Sequence, residues 1–280
     1  MIPDRLWGVE RVTADLNVMC EDLRLESGAG KIFVRRWTPA AMAADAVPIV
    51  LFHDSLGCVE LWRDFPQRLS HACGRVVIAY DRLGFGQSDP YSGDWSADFI
   101  RDEAVRFFPI LQRGCRFTDF IAFGHSVGGA MAAVCASIYR QSCRGLMTVA
   151  AQAFVEDKVL AGIRAAQQDF AKPGHLDRLR KYHGDKTEWV LSAWVDTWHS
   201  AEFAPWTIEA TADQIRCPLW AVHGEMDEFG SLLHPQRYAK LTAGDGQEHI
   251  LHNCHHVPHR EVPEQLTQLV QSFIAYIQSR

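Results

Sequence analysis

A serine between two glycines, in Gly124-His125-Ser126-Val127-Gly128, is the residue whose type and setting point most directly to chemistry. The apolar run Phe120-Ile121-Ala122-Phe123 precedes it, and an alanine-rich, proline-free stretch, Val127–Tyr139, follows. A strand that turns sharply into a helix there strains the serine backbone, projects its hydroxyl above the sheet, and places it at a helix N-terminus that favours nearby negative charge. A serine that merely capped the helix would have no use for the flanking glycines. Ser126 is therefore read as a nucleophile.

A serine hydroxyl attacks slowly near neutral pH unless a base takes its proton and an acid orients that base. With the nucleophile on a strand-to-helix turn, the acid and then the histidine follow it along the chain. The strand-like run Pro218–Gly224 leads into Glu225-Met226-Asp227-Glu228, which puts carboxylates at the sheet edge where ligands collect. Asp227 is the candidate acid. Glu225 and Glu228 read as solvated loop charges, either of which could substitute if the turn differs by one residue. The base must come from His252-Asn253-Cys254-His255-His256-Val257-Pro258-His259, where residue type leaves His255 and His256 both open. This segment has no helical His-x-x-x-His pair enclosing a glutamate and no matching cysteines, so neither a metal nor another cofactor is expected.

Acyl transfer also needs two donors for the oxyanion. One should be the Val127 N–H, next to the nucleophile, and the other should come from His53-Asp54-Ser55-Leu56-Gly57, with Ser55 ahead of Leu56.

These loops need a frame, and the apolar pattern supplies one. Val18–Leu25 and Lys31–Trp37 flank the turn-rich Glu26–Gly30 and predict an antiparallel hairpin. Buried strands are expected at Pro48–His53, Arg75–Asp81, Asp119–Gly124, Gly145–Ala151, Pro218–Gly224 and Glu248–His252, with helices at Val59–Ala72, Val127–Tyr139 and Pro263–Ser279. The sum is α/β, a mostly parallel eight-stranded sheet with helices on both faces. Residues 152–216 are too many for a connection between strands. They read as a helical lid inserted after strand six, with helices at Val155–Phe170 and Thr187–Trp198, dividing the chain into a core of 1–151 and 217–280 and a lid of 152–216.

Composition narrows the partners. With 280 residues and 48% hydrophobic content the chain can bury one large core. A formal net charge of −6 without a Lys/Arg run argues against nucleic acid. Charged residues interrupt Met1–Leu25, so no secretion signal is expected there, and no stretch suits a membrane span. Eight scattered cysteines without a Cys-x-x-Cys pair suggest reduced thiols and a cytoplasmic setting. The expected partner is a small-molecule substrate, and a homodimer is compatible with this reading.

Four segments resemble the α/β-hydrolase superfamily, in particular its lidded branch of serine esterases, carbon–carbon hydrolases and haloperoxidase-like enzymes. They are His53–Gly57 with Trp62, Tyr80–Asp89, Gly124–Gly129, and His223–Asp227 with His256–Glu261 and Pro263-Glu264. The likeness covers nearly the whole chain. It implies the α/β-hydrolase fold and makes His256 the base, because relatives place this histidine before a short turn and a Pro-Glu helix start. Asp54 departs from the family, which usually has the glycine of a His-Gly pair there, and this leaves the conformation of the oxyanion loop open. Serine at 126 argues against the aspartate-dependent dehalogenases and epoxide hydrolases. The absence of a glycine-rich His-Gly-x-Gly-Pro-Gly run argues against many carbon–carbon hydrolases.

The expected activity is hydrolysis of a small, mostly apolar carboxylic ester, thioester or lactone through an acyl-enzyme on Ser126. The alternatives are a carbon–carbon bond hydrolase of a diketone ring-cleavage product and a ligand receptor that keeps the hydrolase fold. Selectivity should reside in the lid, whose aromatics include Phe154, Trp189, Trp194 and Trp198 as candidate substrate contacts.

Overall fold

The computed structural model describes residues 17–44, 46–93 and 95–280. The secretion-signal reading of Met1–Leu25 falls mostly outside these residues. The eight strands are β1 (Val18–Glu26), β2 (Lys31–Pro39), β3 (Ile49–Phe52), β4 (Val77–Tyr80), β5 (Phe120–His125), β6 (Cys143–Val149), β7 (Leu219–Gly224) and β8 (Gly246–Leu251). They form one sheet in the order β1-β2-β4-β3-β5-β6-β7-β8. β1 and β2 pair antiparallel, as do β2 and β4, and every later neighbour is parallel.

The burial follows from that topology. Strands covered on both faces must be apolar at successive positions, and β3, β4, β5 and β7 are buried throughout. Side chains alternate between two cores. Val50, Phe52, Ala122, Leu146 and Ala221 meet the helices Phe108–Cys115 and Val127–Ile138 on one face. Leu51, Phe123, Met147 and Val222 meet Phe65–Cys73 and Pro263–Gln278 on the other. At the edge, β1 alternates between exposed and half-buried residues, as a strand wet on one side does.

The single helix expected over Val59–Ala72 is divided into a 3-10 turn, Val59–Trp62, and a helix, Phe65–Cys73. Pro66 is the reason: its ring excludes a continuous helix through the preceding turn but suits a helix start. Between β6 and β7 the chain forms the helices Asp157–Phe170, His175–His183 and Thr187–His199, the second of which was not among the helices expected. Among the described residues no helix is long and apolar enough to cross a membrane.

Candidate active site

The pattern of small residues around Ser126 has a steric basis. A Cβ at Gly124 would lie 2.2 Å from the Gly128 carbonyl oxygen, and one at Gly128 would lie 2.2 Å from the carbonyl oxygen of Phe52. Only hydrogen allows strand β5 and its following helix to close this tightly. Between them Ser126 takes φ 55° and ψ −128°, a conformation costly for a residue with a side chain. Strain of this kind persists where surrounding packing over-determines it, and here it lifts the hydroxyl from the sheet edge.

His256 Nε2 lies 3.1 Å from Ser126 Oγ. Its Nδ1 lies 2.9 Å from both oxygens of Asp227, which fixes the proton on Nδ1 and leaves Nε2 as an acceptor for the serine. Burial opposes a charge on His256, but the Asp227 charge and hydrogen bond outweigh it and hold the imidazole above its ordinary pKa. Burial likewise works against ionised Asp227, and the two imidazoles beside it together keep the carboxyl below its ordinary range. The second imidazole is His223, whose Nε2 is 3.1 Å from Asp227 Oδ2 but out of hydrogen-bonding alignment.

Neighbouring loops hold this geometry through the backbone. Met226 N–H donates to Cys254 O at 2.9 Å, joining the carboxylate loop to the histidine loop. Glu261 accepts from the N–H groups of His255 and Val257, on either side of His256, at 2.9 and 3.0 Å. His255 Nδ1 turns to the same Glu261 carboxylate at 3.1 Å and does not face Ser126. Of the sequence alternatives for the acid, Glu225 pairs with His252 at the surface. His252, His255 and His256 thus take separate partners, and among the described residues no cluster is suited to a metal. His255→Ala is expected to leave kcat within about threefold of the parent, since it removes an interaction outside the reacting atoms. A steady-state ester assay on that variant checks the assignment.

The cavity above Ser126 holds about 80 Å³. Leu56, Leu61, Val159, Ile163, Trp194 and Trp198 are among its apolar walls, and Ser55 lies on its rim. Among the described residues neither Ser55 N–H nor Val127 N–H has a hydrogen-bond partner within the protein, and Ser55 lines the cavity. Trp194 and Trp198, one helical turn apart, reach the cavity together. Phe154 and Trp189 do not. Phe154 stacks between His234 and Arg237, and Trp189 lies flat on Tyr91 with ring centroids 5.6 Å apart. Both rings pack residues 152–216 against residues outside that segment, an orientation that aromatic composition does not encode.

Several cavity residues carried little sequence signal. Gln152 is 4% exposed, and its Oε1 is 3.3 Å from Ser126 Oγ, a second acceptor competing with His256 for one proton. Its position three residues after β6 was the available clue. Phe229, Val257 and Arg260 also line the cavity, brought there by the loops that carry Asp227 and His256.

A strained serine, an imidazole in line with it and a buried carboxylate behind have the geometry that nucleophilic acyl transfer requires. The chain belongs to the alpha/beta hydrolase fold family, whose model matches residues 47–195, and it is an enzyme of the hydrolase class. It is 26% identical to the human "Serine hydrolase BPHL" over 238 residues, covering 81% of this chain and 78% of that protein. Its fold is shared with the proline iminopeptidase of Mycobacterium smegmatis, with a TM-score of 0.69, 18% identity and coverage of 92% and 98% of the two chains. Naproxen esterase from Bacillus subtilis aligns with a TM-score of 0.68, 15% identity and coverage of 97% and 94%.

Proposed function

We propose that the protein hydrolyses a small, mostly apolar carboxylic ester, thioester or lactone, with Ser126 as nucleophile, His256 as general base and acid, and Asp227 as the orienting carboxylate. The observation that carries this reading is the alignment of Ser126 Oγ, His256 and Asp227 beneath a cavity walled by aliphatic and aromatic side chains. Ser126 Oγ attacks the carbonyl carbon as its proton passes to His256 Nε2, and the Ser55 and Val127 N–H groups receive the oxyanion. Protonated His256 then gives its proton to the departing alcohol or thiol; in a lactone the same oxygen remains attached to the acyl chain. Water, activated by the same imidazole, releases the acid and restores Ser126.

The deciding experiment is a panel of p-nitrophenyl esters of graded acyl length run beside a vinylogous 1,5-diketone. Ester turnover with label on Ser126 from a serine-directed phosphonate supports the proposal. Turnover of the diketone alone would replace it with carbon–carbon hydrolysis, and a ligand bound tightly without turnover of either would point to a receptor.

In this reading residues 152–216 act as a lid that selects the substrate. A buried aromatic anchor is worth about 2 kcal/mol on binding, so Trp194→Ala or Trp198→Ala should lower kcat/KM for long or aryl esters roughly 30-fold. The acetyl ester, too small to reach these rings, should keep most of its rate. Equal losses on acetyl and aryl esters in folded variants would show that the lid assembles the site and does not merely select.

A further inference from the structure

The residue that departs from the family, Asp54, has a more specific place than its neighbours require. Its backbone does not adopt the left-handed conformation, so glycine is not needed there. Its Oδ1 accepts the Leu56 N–H at 2.9 Å, and its carbonyl oxygen accepts from Gly57 N–H at 3.2 Å and Arg82 Nη2 at 2.8 Å. Across the cavity floor, Asp54 Oδ2 lies 3.3 Å from Nδ1 of His125, the residue preceding the nucleophile. His125 Nε2 is 2.7 Å from the backbone oxygen of His256, so this nitrogen carries a proton and donates it. The His125 ring is wedged against Trp62, His256 and His259, with centroids 4.8 to 6.2 Å away.

One side chain therefore links the loop bearing the Ser55 N–H, the turn bearing Ser126 and the loop bearing His256. We propose that Asp54 is a positioning residue for the oxyanion hole, acting through His125, and that His125, with a proton on each ring nitrogen, also screens its carboxylate from the negative charge of the transition state. This inference rests on Ser126 being the acylated residue. The screening follows from placement. Asp54 and Ser55 line the same cavity, and the Asp54 side chain is 25% exposed. A carboxylate without a close partner at that point would repel the oxyanion that Ser55 is set to receive. His125 Nδ1, at 3.3 Å, is within hydrogen-bonding distance of its open oxygen, and the His53 and Arg260 charges also act on the carboxylate. Arg260 borders the same cavity while directing Nε and Nη2 to Leu61 O at 3.0 and 2.6 Å.

Two consequences separate this role from a merely structural one. Asp54→Ala should lower kcat about 10²-fold with KM nearly unchanged, the loss associated with one misplaced oxyanion donor. Asp54→Asn, which keeps the loop bonds without the charge, should recover most of it. His125→Phe keeps the wedged ring but removes the nitrogen that faces the Asp54 carboxylate, so it should be more damaging than Asp54→Asn. Adding Asp54→Asn to His125→Phe should then raise activity above that of His125→Phe alone, at least about fivefold, a coupling expected between residues in contact. Affinity for a trifluoromethyl ketone, which forms an oxyanion on the serine, should follow kcat across the series, and circular dichroism should show all four variants folded. A double variant no more active than His125→Phe, or Asp54→Asn as impaired as Asp54→Ala, overturns the proposal. Failure of a phosphonate to label Ser126 in the parent enzyme would instead remove the nucleophile assignment on which it stands.

Discussion

Ser126→Ala is expected to lower kcat by about 10⁶-fold, since a nucleophile and its base act as a unit and loss of either forfeits nearly all covalent catalysis. His256→Ala should fall almost as far, and combining the two should add little. The reason lies in the geometry: His256 Nε2 has Ser126 Oγ at 3.1 Å as its target, and each group is idle without the other. Ester turnover and phosphonate labelling measured on both single variants and the double variant test this. Additive losses would mean that the residues serve separate steps.

Asp227→Asn should cost about 10⁴-fold in kcat while leaving the fold intact. The amide fills the same space but supplies an N–H where His256 needs an acceptor, which favours the wrong tautomer. The pH profile should also move. His256 acts as base only when neutral, and in the parent its pKa lies above the ordinary imidazole value because the Asp227 charge and hydrogen bond outweigh burial. Activity of the parent should therefore rise with pH through an ionisation above that ordinary value. With the carboxylate removed, burial prevails, and the midpoint of the residual activity should shift to lower pH. A midpoint unmoved in Asp227→Asn would assign the limb to another group, and near-normal turnover would transfer the acid's role to a different carboxylate.

The His255 and His256 pair marks a limit of local reasoning. They are adjacent histidines in one loop, and nothing in their type or spacing separates them; resemblance to relatives did so, and the Glu261 carboxylate supplies the physical reason by drawing the His255 ring away from Ser126. Among the aromatics of residues 152–216, Trp194 and Trp198 share a helix face, so their common direction was legible from spacing four apart. Phe154 and Trp189 lacked such a constraint. Their partners, His234 with Arg237 and Tyr91, lie far along the chain and were beyond the reach of composition.

By itself, the sequence determined the eight strands, the placement of helices on both faces and the serine turn, because hydrophobic period and glycine placement are local consequences of backbone geometry and burial. It also determined that Asp227 and the histidine loop follow strand ends, which a parallel sheet gathers along one edge. Only the tertiary structure decided what stands beside what. It placed Gln152 against Ser126 and gave the Asp54 carboxylate a partner in His125. Those outcomes depend on contacts between segments tens of residues apart, whose approach is set by the packing of two cores against one sheet and has no counterpart in any single stretch of chain.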